Sequence, residues 1–179
     1  MTVEETLGAC LLAFPALGLL LVACSPPYNW REVRPEGTGL SLLLPCKPDK
    51  VQKTVTLGST PVLLTLIGCD AAGATFAIAV ADLGNAARAG PVLAQWQNLT
   101  LANMKAAMPV KSSALKVQGA SGAVPPVLVA ARGQRANGST VNGQAAYFAQ
   151  GSQVFQAVLY ADKLAPDVSE TYFSSLKFE

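Results

Sequence analysis

Histidine is missing from all 179 residues, which removes the commonest general base and the commonest metal ligand together. Charge is scarce too: Asp, Glu, Lys and Arg make up 13% of the chain, against about 25% in an ordinary soluble domain. Carboxylate pairs can do acid–base work without histidine, yet no motif brings Asp82 and Asp162 together, and both read as residues that cap helices or end strands. The expectation is a protein that is not an enzyme and that holds no metal or cofactor. The basic residues are few and scattered, with Lys47, Lys50, Lys53 and Arg132, Arg135 as their only groupings. Nucleic-acid binding needs a clustered basic face, and none is foreseen.

The one long uncharged run lies at the start. Leu7 to Ala23 reads LGACLLAFPALGLLLVA, about 25 Å as a helix against a hydrocarbon core of about 30 Å. Pro15, Gly18 and the small residues at its end fit a secretory leader. The run closes on Leu21-Val22-Ala23-Cys24, which resembles the lipobox of bacterial lipoproteins. That resemblance implies cleavage before Cys24, diacylglyceryl transfer to its thiol and acylation of the new amine, an anchor of several acyl chains. It also implies the outer membrane, because Ser25 stands where Asp marks retention at the inner one.

Residues 1–23 are then signal peptide, 24–38, opening with the polar SPPYNW, a tether, and 39–179 one domain, long enough to bury a core. Two alternatives stay open, an uncleaved membrane anchor and a buried N-terminal helix. The start MTVEET carries Glu4 and Glu5 where a leader carries Lys or Arg. Arg31 and Arg34 beyond an uncleaved span would place the domain in the cytoplasm. A cleaved leader therefore calls for an upstream in-frame start followed by Lys or Arg.

Of the four cysteines, cleavage removes Cys10 and lipidation uses Cys24, leaving Cys46 and Cys69. In an oxidising compartment the two are expected to form a disulfide, with a pair of buried thiols as the alternative.

Periodicity supplies the elements. Val51, Val55 and Leu57 recur at even spacing, as in a half-buried strand, and turn at Gly58-Ser59 into Val62–Ile67, an apolar run suited to a central strand covered on both faces. In TFAIAVA, Phe76, Ile78 and Val80 face one way, while Ala77, Ala79 and Ala81 form a flat face on which a helix can sit. The helix follows, opening near Pro91, carrying Val92, Leu93, Trp96, Leu99 and Met104, and ending by Pro109. Ser112 to Pro126 reads as loop and Pro126 to Ala131 as strand. Gly151-Ser152 closes a last hairpin in which Phe148 faces Phe155 and Ala146 faces Ala157. Pro166-Asp167 opens a final helix with Val168, Tyr172, Phe173 and Leu176.

This order gives an α+β domain, an antiparallel sheet of about six to seven strands with helices packed on it. Through LSLLLP, TFAIAVAD, the Trp96 helix, VLVAARG, YFAQGSQVFQAVLYA and FSSLKF, residues 30–179 resemble the PsbP-like fold, shared by a photosystem subunit and DcrB-type envelope lipoproteins. The resemblance implies fold alone, because a fold does not carry its function with it. The functional expectation is a lipid-anchored envelope protein of non-enzymatic role, binding a protein partner or supporting envelope maintenance. The alternative is a carrier or sensor of a small apolar ligand, held between the sheet and the Trp96 helix.

Overall fold

The structure, a computed structural model, describes residues 27–179. The leader, its expected helix and Cys24 lie outside those residues. The strands are β1 (Arg31–Val33), β2 (Leu40–Leu44), β3 (Asp49–Leu57), β4 (Thr60–Ala71) and β5 (Ala74–Asp82), then β6 (Ala107–Ala114), β7 (Val127–Gln134), β8 (Thr140–Gln150), β9 (Gln153–Ala161) and β10 (Lys177–Phe178). Helix α1 (Ala89–Asn103) lies between β5 and β6, and α2 (Pro166–Ser174) between β9 and β10. Seven strands form an antiparallel sheet in the order β3-β4-β5-β9-β8-β7-β6, and a smaller sheet runs β1-β2-β10. The fold is α+β.

Alternation along β5 and β9 sorts the side chains into two cores. Phe76, Ile78, Phe148, Phe155 and Leu159 face the small sheet and α2, where Leu40, Leu42, Leu44, Tyr172 and Leu176 meet them. Ala77, Ala79, Ala81, Tyr147, Val154 and Val158 face α1, which answers with Val92, Leu93 and Trp96. The alanines let the helix approach closely, as the sequence pattern predicts. The β8–β9 hairpin also has the expected register, with Phe148 opposite Phe155, their rings stacked at 5.2 Å, and Ala146 opposite Ala157. At its turn Gly151 has φ +57°, and glycine takes that left-handed conformation without a steric penalty.

Four readings from sequence differ from the structure. The segment 24–38 is no free tether beyond Pro27: Tyr28 and Trp30 pack edge-on against Phe76, and β1 pairs with β2. The apolar run of β4 is not covered on both faces, since Leu63 and Leu66 remain 56% and 42% exposed. It is the second strand from an edge: α1 passes over only part of the face that Leu66 shares, and Leu63, on the opposite face, lies outside the core built on the small sheet. Leu99, placed on the buried stripe of α1, is exposed. The segment 107–114, read as helix end and loop, is edge strand β6.

Candidate functional site

Helix α1 crosses its face of the sheet obliquely. At its start Arg88 Nη2 donates to the Leu57 carbonyl, and Val92 packs with Leu57 and Val62 near the β3–β4 turn. At its end the Met104 carbonyl accepts from the Gln134 amide at 2.7 Å, at the far end of β7. Gly133 permits that approach, because a Cβ there would stand 2.2 Å from the Met104 oxygen. Gly143 does the same for Tyr160, whose ring would lie 2.8 Å from a Cβ at that position. An oblique helix on a seven-stranded sheet leaves a corner bare, here the β4–β5–β9 region beside the end of α1.

That corner is a cleft of about 600 Å³. Its floor is Leu66, Ala77 and Val158, and its walls include Trp96, Met104 and Tyr160. It adjoins a second hollow of about 410 Å³ through the shared residues Leu66, Thr75 and Ala77, and this hollow runs past Val51 to the Cys46–Cys69 bridge. Each volume by itself suits a small organic molecule or an acyl chain, since ligand pockets run about 300–1,000 Å³.

Polar residues make up half of the lining of the cleft, and several are fixed. Gln156, buried at the middle of β9, donates through Nε2 to Thr100 Oγ1 at 2.8 Å and to the Tyr147 hydroxyl at 3.1 Å. Burial raises the Tyr147 phenol above its ordinary value against the lowering pull of its hydrogen bonds with Thr100 and Gln156. Burial, reinforced by Tyr147, pushes Tyr160 up to about 12. Tyr160 is therefore a protonated donor at neutral pH and no base. At the mouth Arg135 is held by the Thr140 carbonyl at 3.0 Å and Asp162 at 2.6 Å. The cleft can bind an apolar body and orient one polar end.

Asp82 and Asp162 are not brought together. Asp82 ends β5 opposite Gln153, and its carboxylate, held below its ordinary range by the Gly84 amide and then Ser152, ties the following turn. Asp162 follows Ala161, which pairs with Ala74 at the opposite end of the same two strands. Among the described residues no group of three Cys, Asp or Glu side chains is placed to hold a metal, and no helix is long and apolar enough to cross a membrane.

Cys46 and Cys69 form the expected disulfide, with Cα atoms 6.0 Å apart, and it ties the end of β2 to β4. Trp96, on the apolar stripe of α1, is buried against the sheet and borders the cleft. Gln156, Thr100, Tyr147 and Arg135 do not stand out in the sequence. The available signals are a glutamine inside the apolar QVFQAVLYA and a glycine within β8 opposite a tyrosine. Compared with known proteins, the chain matches no family model and no curated protein.

Proposed function

We propose that this chain is a lipid-anchored envelope protein of non-enzymatic role, acylated at Cys24, whose domain carries or senses a small apolar ligand in the cleft beside Trp96. The observation that carries the reading is the cleft itself: an apolar floor of Leu66, Ala77 and Val158, with Gln156, Thr100 and Tyr160 at one side as orienting groups. The Cys46–Cys69 bridge agrees with an oxidising compartment, the lipobox resemblance at Leu21–Cys24 with a lipid anchor, and Ser25 with the outer membrane. The α+β order of elements agrees with the PsbP-like, DcrB-type resemblance. A protein partner in the envelope is the second reading, favoured by Val51 and Leu66, which stand opposite each other on one face near a sheet edge and are left 57% and 42% exposed.

The test is binding of a neutral apolar dye, 1-N-phenylnaphthylamine, to the purified full chain in mild detergent, alongside solvent extraction of the protein for co-purified lipid. Thr75 is exposed and borders both hollows, so Thr75→Trp fills the site from a position where a strand tolerates a large ring. The wild type is expected to bind dye, and the variant to bind it at least about tenfold more weakly at unchanged thermal stability, a loss of about 1.4 kcal/mol. Equal dye binding by both proteins, or an empty wild type that takes up no dye, contradicts the ligand reading.

A further inference from the structure

The two edges of the seven-stranded sheet are unlike. Strand β6 is guarded: it contains Pro109, which has no amide hydrogen to offer, and its register with β7 shifts between Ala107 and Lys111. Strand β3 has neither device and pairs with β4 without a break from Asp49 to Leu57.

Gly58-Ser59 is a two-residue loop, so the flanking pair Leu57 and Thr60 exchanges both its hydrogen bonds. Alternation from that pair turns the backbone groups of Asp49, Val51, Lys53 and Val55 toward β4. Those of Lys50, Gln52, Thr54 and Thr56 point outward from the edge. Asp49, Val51 and Lys53 share the face that carries α1, since Val51 stands opposite Leu66, which stands opposite Ala79. Val51 is 57% and Leu66 42% exposed.

We propose that β3 pairs antiparallel with β3 of a second copy of this chain, about a two-fold axis at Val51. Charge selects that register. With the axis at Val51, Asp49 of each copy stands opposite Lys53 of the other, and Val51 meets its own counterpart beside Leu66. The outward backbone groups of Lys50 and Gln52 exchange the hydrogen bonds. An axis at Lys53 sets two ammonium groups face to face, and an axis at Gln52 sets Val51 against Lys53 and Asp49 against Val55. Opposite charges across strands attract and like charges repel. Among the described residues neither Asp49 nor Lys53 has an ion-pair partner, whereas Lys50, on the other face, is paired with Glu36 at 2.9 Å. A self-matching patch of this kind is what a two-fold contact requires.

Carbodiimide coupling of a mixture of ¹⁵N-labelled and unlabelled full-length protein in detergent tests the register directly. Along one strand Asp49 and Lys53 are about 13 Å apart, beyond a zero-length amide link, so coupling has to join two copies. The expected product is an Asp49–Lys53 cross-linked peptide, with hybrid heavy–light pairs present. In light scattering, Lys53→Glu is expected to weaken self-association about tenfold, and Lys53→Glu combined with Asp49→Lys to restore it. A single-copy mass at every concentration, absence of hybrid cross-links, or a charge reversal that the second substitution does not rescue overturns the proposal.

Discussion

Replacing Cys46 and Cys69 together by alanine is expected to lower the unfolding midpoint by about 10 °C. The bridge spans a sequence separation of 23 residues, and in the chain-entropy account closing such a loop stabilises a fold by roughly 3 kcal/mol. The enclosed segment has little else to hold it. Of β3 only Leu57 is buried, and the start of β4 keeps Pro61 and Leu63 exposed, so burial of apolar surface stabilises this hairpin weakly. The bridge also joins the two sheets, running from the residue after β2 and Pro45 to a strand of the large sheet. Melting by circular dichroism with and without dithiothreitol checks the prediction. Reductant should bring the wild type down to the variant and leave the variant where it is. A midpoint unchanged in both would show that packing alone holds the hairpin.

Alkaline pH is expected to unfold the domain once it passes about 10. Three of the four tyrosines, Tyr147, Tyr160 and Tyr172, have phenols raised above their ordinary value, in each case chiefly by burial. Tyr172 is wholly buried and donates to the Ala77 carbonyl at 2.7 Å. A raised phenol stabilises the fold fully below the unfolded value, near pH 10, and that contribution is lost as pH climbs toward the folded value. For Tyr160, at about 12 in the fold, the two-unit difference is worth about 3 kcal/mol. Tyrosinate absorbance at 295 nm from these residues should rise together with the loss of ellipticity, and Tyr160→Phe should move the midpoint to higher pH. Ionisation of all four tyrosines near pH 10 with ellipticity intact would contradict the burial described for them.

What was legible in the sequence was what local chemistry decides. The alternation of Phe76, Ile78 and Val80 with Ala77, Ala79 and Ala81 set the faces of β5 and the seat of α1, and Gly151-Ser152 set the register of β8 and β9. The thiol pair Cys46–Cys69 emerged by counting. Elements without an apolar rhythm were illegible. Strand β6 is mostly exposed, with a proline and two serines, and β1 is three residues with two charges, so both depend on tertiary pairing rather than propensity. The Val62–Ile67 run misled because identical apolar runs serve covered and uncovered strands, and only the oblique path of α1 leaves Leu66 bare. The burial of Trp96 followed from the apolar stripe of α1, whereas the cleft beside it depends on the path of the helix. The polar side of the cleft followed from nothing local: Gln156, Thr100 and Tyr147 come from three elements and meet only when α1 lies on the sheet.

The central proposal is a lipid-tethered domain working outside the cytoplasm, and intact mass spectrometry of the protein extracted from its own membranes tests it most directly. The account predicts a chain beginning at Cys24, heavier by a diacylglyceryl group and an amide-linked acyl chain, and two hydrogens lighter than its dithiol form through the Cys46–Cys69 bridge. A chain that retains Leu7–Ala23, carries no acyl mass and keeps both thiols would contradict it.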